Sequence, residues 1–457
     1  MGKKYELLAD NQDGLYRIRA LRSFGNVREG DVGGFVASEL NLSHHGNCWI
    51  YNNAKVYDNA KIYSNAIVTD NARVFDKAKI YGTAHVYNNA KVYGDARVCD
   101  EVEVFDKAKI YGTAHIYGTA LIYDEAQVYG EVRVYGEAKI YGTAHVYGNA
   151  IVTDNARVYD EAQVSDKAKI YNNARVFYKA MIYGEAHVYG NAQVSGEVEI
   201  YDKAYVYNNV LIYGKARVCG EARVYDEAKI YGKAKIYDTA HVYDNARVYD
   251  EAKIYGKAKI YDTAHVYDNA RVCDEVEVFD KAKIYGTARV YNHATVGGYA
   301  QVYGDAKVIG HAYIGGTARV YNHAIVRDYM TVMFSHCTKD ISLRENLPMS
   351  IKCQTGLETV EGHVYGFKHV REDLSSMYNP KFKYKVGEYA WVESYNPDPS
   401  VPCASGLHVS NATYWENKRG SKVIMVKVAL DDIIAVQEGK IRCKKLFVIG
   451  ICDSEVF

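Results

Sequence analysis

Six histidines, His85, His115, His145, His187, His241 and His265, recur inside the tripeptides T-A-H or E-A-H. Imidazole is the side chain that most often serves as a general base near neutral pH. A histidine returning to one slot therefore raises the prospect of repeated catalytic sites. The slot itself points to a plainer role. It holds Lys or Arg in 24 of the 46 units that share it, and the histidines exchange with them as surface residues. One cation series, Arg217, Lys235, Lys253, Arg271, Arg289 and Lys307, falls on every third unit, with Tyr237, Tyr255 and Tyr291 two positions after three of its members. Stacked cations beside aromatic rings suit a phosphate backbone or unstacked bases. Asp238, Asp250 and Glu251 lie close by and would offset the same charges on an ordinary solvated face. His293 and His311 are also three units apart and should stack at one corner, with His323 at another. A metal site needs three or four converging ligands, and this corner offers two.

A six-residue repeat positions all of these. In YGKAKIYDTAHVYDNARVYDEAKIY (231–255) each unit runs small residue, polar residue, Val or Ile, Tyr, turn residue, variable residue. From Ala54 to Ala324 the small position is Ala in 41 of 46 units, and Val102, Val132, Val198, Val210 and Val276 fill the rest. Two positions later every unit has Val or Ile. Side chains alternate along a strand, so the small and branched residues share one face, the interior. The polar residue and the Tyr face outward. The next residue is usually Gly, Asp or Asn, which tolerate positive φ, so the chain can turn once per unit. Three sides per coil predict an all-β fold: a triangular parallel β-helix with 18-residue coils, about 15 of them. Stacked Tyr rings would cover the corners. They also suit a subunit interface, so a homo-oligomer is expected.

This pattern resembles the left-handed β-helix of hexapeptide-repeat proteins, with Tyr where that family usually has Gly. The segment REGDVGGFVASELNLSHHGNCWIY (28–51) resembles the entry segment of phage and prophage-encoded hexapeptide proteins, some of which carry an acetyltransferase label. The resemblance covers roughly residues 15–334. It implies acetyl-CoA and a catalytic His if the chain is an acyltransferase; otherwise no cofactor is expected. Near-identical blocks recur at shifts of 24 (DTAHVYDNARV, 238–248 and 262–272) and 30 (KAKIYGTAH, 77–85 and 107–115). Neither shift is a multiple of 18, so copies land on different faces. The three faces are therefore interchangeable, which a fixed site on one face would not tolerate. The unbroken phase also leaves no loops to wall a pocket.

Lys plus Arg and Asp plus Glu number 56 each, which argues against a globally basic nucleic-acid binder. No apolar run of about 18 residues predicts a membrane helix, and the N-terminal stretch lacks the apolar core of a signal peptide. A cytoplasmic protein is expected, in the host cytoplasm if phage-encoded. Of nine cysteines, Cys99, Cys219 and Cys273 take the Tyr position, coils apart and beyond disulfide reach. Reduced thiols rather than a disulfide framework are expected.

All five prolines lie after residue 347, so the composition changes there. The expected organisation is a β cap and entry segment (1–40), the β-helix (41–334) and a small mixed α+β domain (335–457). YELLADNQDGLYRIRAL (5–21) reads as a strand pair turning at Asp13-Gly14, a cap against end-to-end growth. GDVGGF (30–35) reads as a tight-backbone entry to the first coil. In the C-terminal domain, 362–370, 422–430 and 444–451 read as strands, and 411–418 as a short helix. CASGLHVSNATYW (403–415) resembles a C-terminal domain of unknown function found on phage repeat proteins, and more distantly ADP-ribosyltransferase folds. The latter resemblance implies His369, Ser405 and His408 as site residues, with no acid placed where that family needs Glu. Cys353, His363, Cys403 and His408 could be read as zinc ligands, though no C-x-x-C or H-x-x-x-H element supports it; satisfied core residues are the default. The expected function is a non-enzymatic, phage-related scaffold: the β-helix is a rigid spacer and interaction surface, and 335–457 recognises a protein partner. An acetyltransferase and a polyanion or nucleic-acid binder are the alternatives.

Overall fold

In a computed structural model of the chain, the residues described are 2–327, 330–333, 336–338, 347–398, 401, 404–414, 421–437 and 439–452. They form two compact units, Met1–Asp238 and Thr239–Phe457. Both contain the expected solenoid coils.

Each repeat unit contributes a short strand, in parallel register with the strand three units on. Lys55 faces Arg73 and Val56 faces Val74 in the first compact unit; Arg271 faces Arg289 and Val272 faces Val290 in the second. Backbone amides bond to carbonyls of the next coil, as Lys55 N to Ala72 O at 2.9 Å. The small position and the Val/Ile position are fully buried throughout, so the interior is a column of Ala, Val and Ile. The polar residue between them points out because the strand period is two.

The fold is the parallel β-solenoid read from the sequence, with about 17 turns rather than 15. The additional strands break the repeat formula. Val36 pairs with Val56 and Leu42 with Ile62, each two positions beyond a full coil, before Trp49–Ile50 restores the regular spacing by pairing with Ile67–Val68. At the other end His336–Cys337 pairs with Arg319–Val320, one position short of a coil. A count that demands strict phase misses coils that absorb a small insertion or deletion in a corner.

The corners explain the preference for Asp. Asp124, Asp238 and Asp250 have φ of 57°, 59° and 55°, the left-handed region that Gly and Asp tolerate. The aspartates also accept a hydrogen bond. Asp124 Oδ2 takes the amide of Gly142 at 3.0 Å, and Asp202 Oδ2 that of Gly220 at 3.1 Å. The carboxylate thus satisfies a corner N–H on the next coil, which an unpartnered backbone donor needs.

At the start, antiparallel strands Tyr5–Gln12 and Leu15–Ala20 turn at Asp13 and Gly14, both at positive φ. Strand Val32–Val36 joins them to the first coil. A Cβ on Gly33 or Gly34 would lie within 2.6 Å of Ile50 O or Ala54 O, so the tight entry requires glycine.

In the second unit, helix α1 (Leu347–Thr355) packs against the last coils. The Thr331 amide donates to Gln354 Oε1 at 3.2 Å, and Cys337 and Cys353 pair as a disulfide with Cα atoms 6.2 Å apart. The expectation of reduced thiols is corrected here. That Cα separation falls within disulfide reach, whereas Cys99, Cys219 and Cys273 remain free thiols. An antiparallel sheet follows, in the order Tyr389–Trp391, Lys445–Cys452, Ser421–Ala429, His363–Arg371, Leu407–Ser410, Lys440–Cys443, Ile433–Gln437, with Thr359–Val360 added to His363–Arg371. Three of these strands match the sequence reading. Of the helix expected over 411–418, Ala412–Tyr414 is a 3-10 turn, and residues 415–418 lie outside the described residues. One sheet face buries Val364, Val409, Ile424, Val426, Val448 and Ile351 of α1. No helix among the described residues is long and apolar enough to cross a membrane.

Candidate functional site

The cation series lies where its spacing puts it. Arg217 pairs in register with Lys235, and Lys253, Arg271, Arg289 and Lys307 stand on consecutive strands. Arg217 bonds to Glu199 Oε1 at 3.0 Å. Among the described residues no ion pair is made by Lys235, Lys253, Arg271, Arg289 or Lys307. Cations at the corners behave otherwise: Lys107 meets Glu125 at 2.8 Å and Lys257 meets Glu275 at 3.0 Å, one coil apart. Such exposed pairs stabilise little, but they neutralise those corner cations, while Lys235, Lys253, Arg271, Arg289 and Lys307 are left as open charge among the described residues.

The Tyr positions form ladders of near-parallel rings. Tyr123, Tyr141 and Tyr159 follow one another at centroid distances of 4.9 and 4.7 Å, tilted by 2°. Offset stacking of this kind adds to burial. Smaller residues interrupt the ladders. Cys99, Thr153, Ser165 and Cys273 are buried at their gaps, whereas Thr69, Ser195 and Cys219 are part-exposed. At Cys219 the missing ring opens a cavity of about 270 Å³ lined by Tyr201, Asp202, Arg217, Cys219, Gly220, Lys235, Tyr237 and Asp238. Three of the sequence-predicted binding residues, Arg217, Lys235 and Tyr237, thus share one cavity. Of the other two predicted tyrosines, Tyr255 hydrogen-bonds the Cys273 thiol and Tyr291 stays in its backbone ladder.

The slot histidines pack against neighbouring rings. His145, His187 and His265 sit edge-on to Tyr129, Tyr171 and Tyr249 at 6.5, 6.1 and 6.2 Å. Burial lowers the pKa of His115, His187 and His265. His293 and His311 stack as expected, with centroids 4.7 Å apart, and His293 Nδ1 lies 3.3 Å from Glu275. Parallel stacked rings do not converge on a point. Among the described residues no group of three or more His, Cys, Asp or Glu could hold a metal.

In the C-terminal sheet, the antiparallel register Phe367↔Ser410 carries His369 toward His408, and His408 faces Arg442 on the next strand. Ser405 is exposed just before the strand Leu407–Ser410 and accepts the Asn396 amide through its carbonyl at 3.0 Å. Burial, then Lys368, Lys440 and Arg442, push His408 down to about 4, which makes it a weak base at neutral pH. Lys368 extends to the opposite, apolar side. It donates to His408 O at 2.9 Å, and burial brings it down to about 8. The zinc quartet does not assemble: Cys353 is committed to Cys337, His363 Nδ1 contacts Glu361 O at 2.8 Å, and Cys403 lies outside the described residues.

Sequence reasoning missed a cleft at the sheet edge. Tyr389, Trp391, Val392, Tyr395, Asp432, Lys444 and Lys445 line a cavity of about 500 Å³. Tyr389–Trp391 is the terminal strand of the sheet. Trp391 is 60 % exposed and Tyr389 57 %, although large rings are usually buried. Lys445 Nζ sits 4.2 Å over the Tyr389 ring, and Lys444 lies 3.6 Å from Asp432. The signal was the alternation Tyr-Ala-Trp, which places two rings on one strand face. In comparisons with known proteins, no family model matches the chain and no curated protein matches it.

Proposed function

We propose that the chain is a non-enzymatic scaffold: the solenoid coils serve as spacer and lateral surface, and the C-terminal domain recognises a protein partner through the Tyr389–Trp391 cleft. The observation that carries this reading is the exposed aromatic edge strand beside a 500 Å³ cavity. Exposed Trp and Tyr are the residues that dominate protein interfaces, and a free strand edge offers backbone donors and acceptors to an added strand. Neither this cavity nor the one at Cys219 is lined by a histidine, so the acyltransferase alternative gains no pocketed base from them. The phage relationship, the cytoplasmic setting and homo-oligomerisation belong to the same proposal and rest on the sequence resemblance and the Tyr ladders. The test is quantitative capture of partner proteins by the full chain. Trp391→Ala with Tyr395→Ala should remove the specific partner and Trp391→Phe should retain most of it; capture unchanged in the double alanine variant contradicts the reading.

A second reading is favoured by the register of Lys253, Arg271, Arg289 and Lys307. Four successive strands present cations with no ion pair among the described residues. Binding of a polyanion there predicts affinity for single-stranded nucleic acid that falls steeply with salt. Charge reversal at Lys253 and Arg271 should abolish it, and salt-independent binding would count against this surface.

A further inference from the structure

We infer that the gap in the aromatic ladder at Cys219 is a binding slot for one planar heteroaromatic ring carrying an anionic tail, of which a nucleoside monophosphate is the simplest example. Neighbouring rings in the ladders lie at 4.6 to 5.4 Å. Tyr201 and Tyr237 are two coils apart, roughly 9.6 Å at the usual strand spacing. One ring between them would restore the ladder spacing on both sides. The sequence leaves that ring out: the residue between is Cys219, whose short side chain forms the back wall of the 270 Å³ cavity. The Tyr201 hydroxyl hydrogen-bonds the Cys219 thiol, which anchors one ring wall. Ligand pockets for larger molecules run from roughly 300 to 1,000 Å³, so this one suits a single ring system.

Comparison among the gaps sharpens the assignment. At Cys99, Thr153, Ser165 and Cys273 the small residue is buried. At Gly297 the Phe279 ring occupies the space a side chain would take, lying 2.5 Å from a Cβ built there. Thr69 and Ser195 are part-exposed like Cys219, but their flanking outward residues are Ile67 and His85 for the first and Gln193 and Leu211 for the second. At Cys219 the flanking residues are Arg217 and Lys235. The Cys219 gap thus combines an opening, two ring walls and two cations at the rim: Arg217, which also bonds Glu199 Oε1 at 3.0 Å, and Lys235, which makes no ion pair among the described residues. Asp202 and Asp238 also line the slot; the Oδ2 of Asp202 already accepts the Gly220 amide at 3.1 Å. Stacking between two rings contributes on the order of 1–3 kcal/mol per base in single-strand binders, and the guanidinium and ammonium would hold the phosphate. This inference concerns the first unit alone and is independent of the cleft at Tyr389–Trp391.

The repeat supplies its own control. Cys219→Tyr installs the residue that most units carry and closes the ladder. Titration calorimetry on the full chain should detect saturable binding of AMP, weakened at least tenfold in Cys219→Tyr while the melting temperature holds or rises. Arg217→Gln with Lys235→Gln should weaken AMP about tenfold and leave adenosine unchanged, since only the phosphate needs the cations. AMP should also slow alkylation of Cys219, read by peptide mass mapping, without slowing that of Cys452, the other part-exposed free thiol among the described residues. No AMP binding to the unaltered chain, or equal binding by Cys219→Tyr, overturns the slot; equal loss of AMP and adenosine in the double Gln variant overturns the anion assignment.

Discussion

The solenoid coils and the C-terminal sheet bury their apolar residues by opposite means. A coil repeats one solution: Ala and Val or Ile inward, Asp, Gly or Asn at the corner, each strand bonded to its counterpart one coil on. The buried residues of one unit are nearly those of the next, and only the outward positions distinguish a unit such as that of Cys219. The C-terminal sheet uses each residue once. Its core carries a lysine among valines, its strands return from up to 66 residues away (His363 pairs with Ala429), and its edge exposes Trp391. Periodicity gives robustness and little specificity; the non-repeating region accepts local costs and offers distinctive surfaces.

The largest contrast should come from deletions. Nearest-neighbour coupling makes a solenoid's stability nearly additive over its turns. Removing 103–120, one full coil, should leave a soluble chain whose melting temperature shifts by no more than about 5 °C. Removing 103–117 leaves a partial unit and should cost on the order of 10 °C or more. Equal effects of the two deletions would contradict the coil register.

Acid and alkali should load the two regions unequally. Burial pushes the phenols of Tyr171, Tyr243, Tyr261 and Tyr267 up to about 12. The unfolded chain ionises near 10, so this stabilisation is complete below pH 10 and lost as pH rises toward 12. His408, pushed down to about 4, acts in the other direction. Its contribution is present above pH 6.5, the unfolded value, and is lost as pH falls toward 4. Scanning calorimetry should therefore show the solenoid transition falling as pH rises from 10 toward 12, and the C-terminal transition falling more than the solenoid transition as pH drops from 6.5 to 4, since burial also lowers His115, His187 and His265 but only His408 reaches about 4. A single transition falling in only one direction would merge the two regions.

Two substitutions give smaller effects. Lys368 is brought down to about 8 by burial, so charging it costs stability as pH falls from the ordinary lysine value through 8. Lys368→Met should raise the C-terminal transition at pH 7 by about 2 kcal/mol and leave the solenoid transition unmoved. Asp124→Gly keeps the positive φ but removes the acceptor of the Gly142 amide. It should cost about 1 kcal/mol, read by urea titration.

The same contrast explains what the sequence disclosed. Ala54 to Val326 repeat one geometric instruction dozens of times, so period, buried face and corner were all legible, and so was the stacking of His293 on His311. The coil count fell short because the strands at Leu42 to Ile50 and at Val332 to Cys337 depart from the six-residue phase, which strict counting excludes. The corner aspartates were read for their tolerance of positive φ, while their bond to the next coil needed three dimensions. In the C-terminal domain, three long strands of alternating residues were visible, but Leu407–Ser410 and Lys440–Cys443 are four residues each, too short to carry a period. The edge cleft joins Tyr389, Asp432 and Lys445 from separate segments, and the Cys219 slot depends on a residue that is absent. Cys337 and Cys353 looked unrelated until α1 brought them together.

The most direct test of the division between spacer and recognition domain is a side-by-side capture experiment with three proteins: the unaltered chain, the chain lacking 103–120, and Trp391→Ala/Tyr395→Ala. The account predicts that the coil-deleted chain captures the same partner in the same amount and that the cleft variant loses it. Loss on coil deletion with retention in the cleft variant would place recognition on the solenoid and contradict the account.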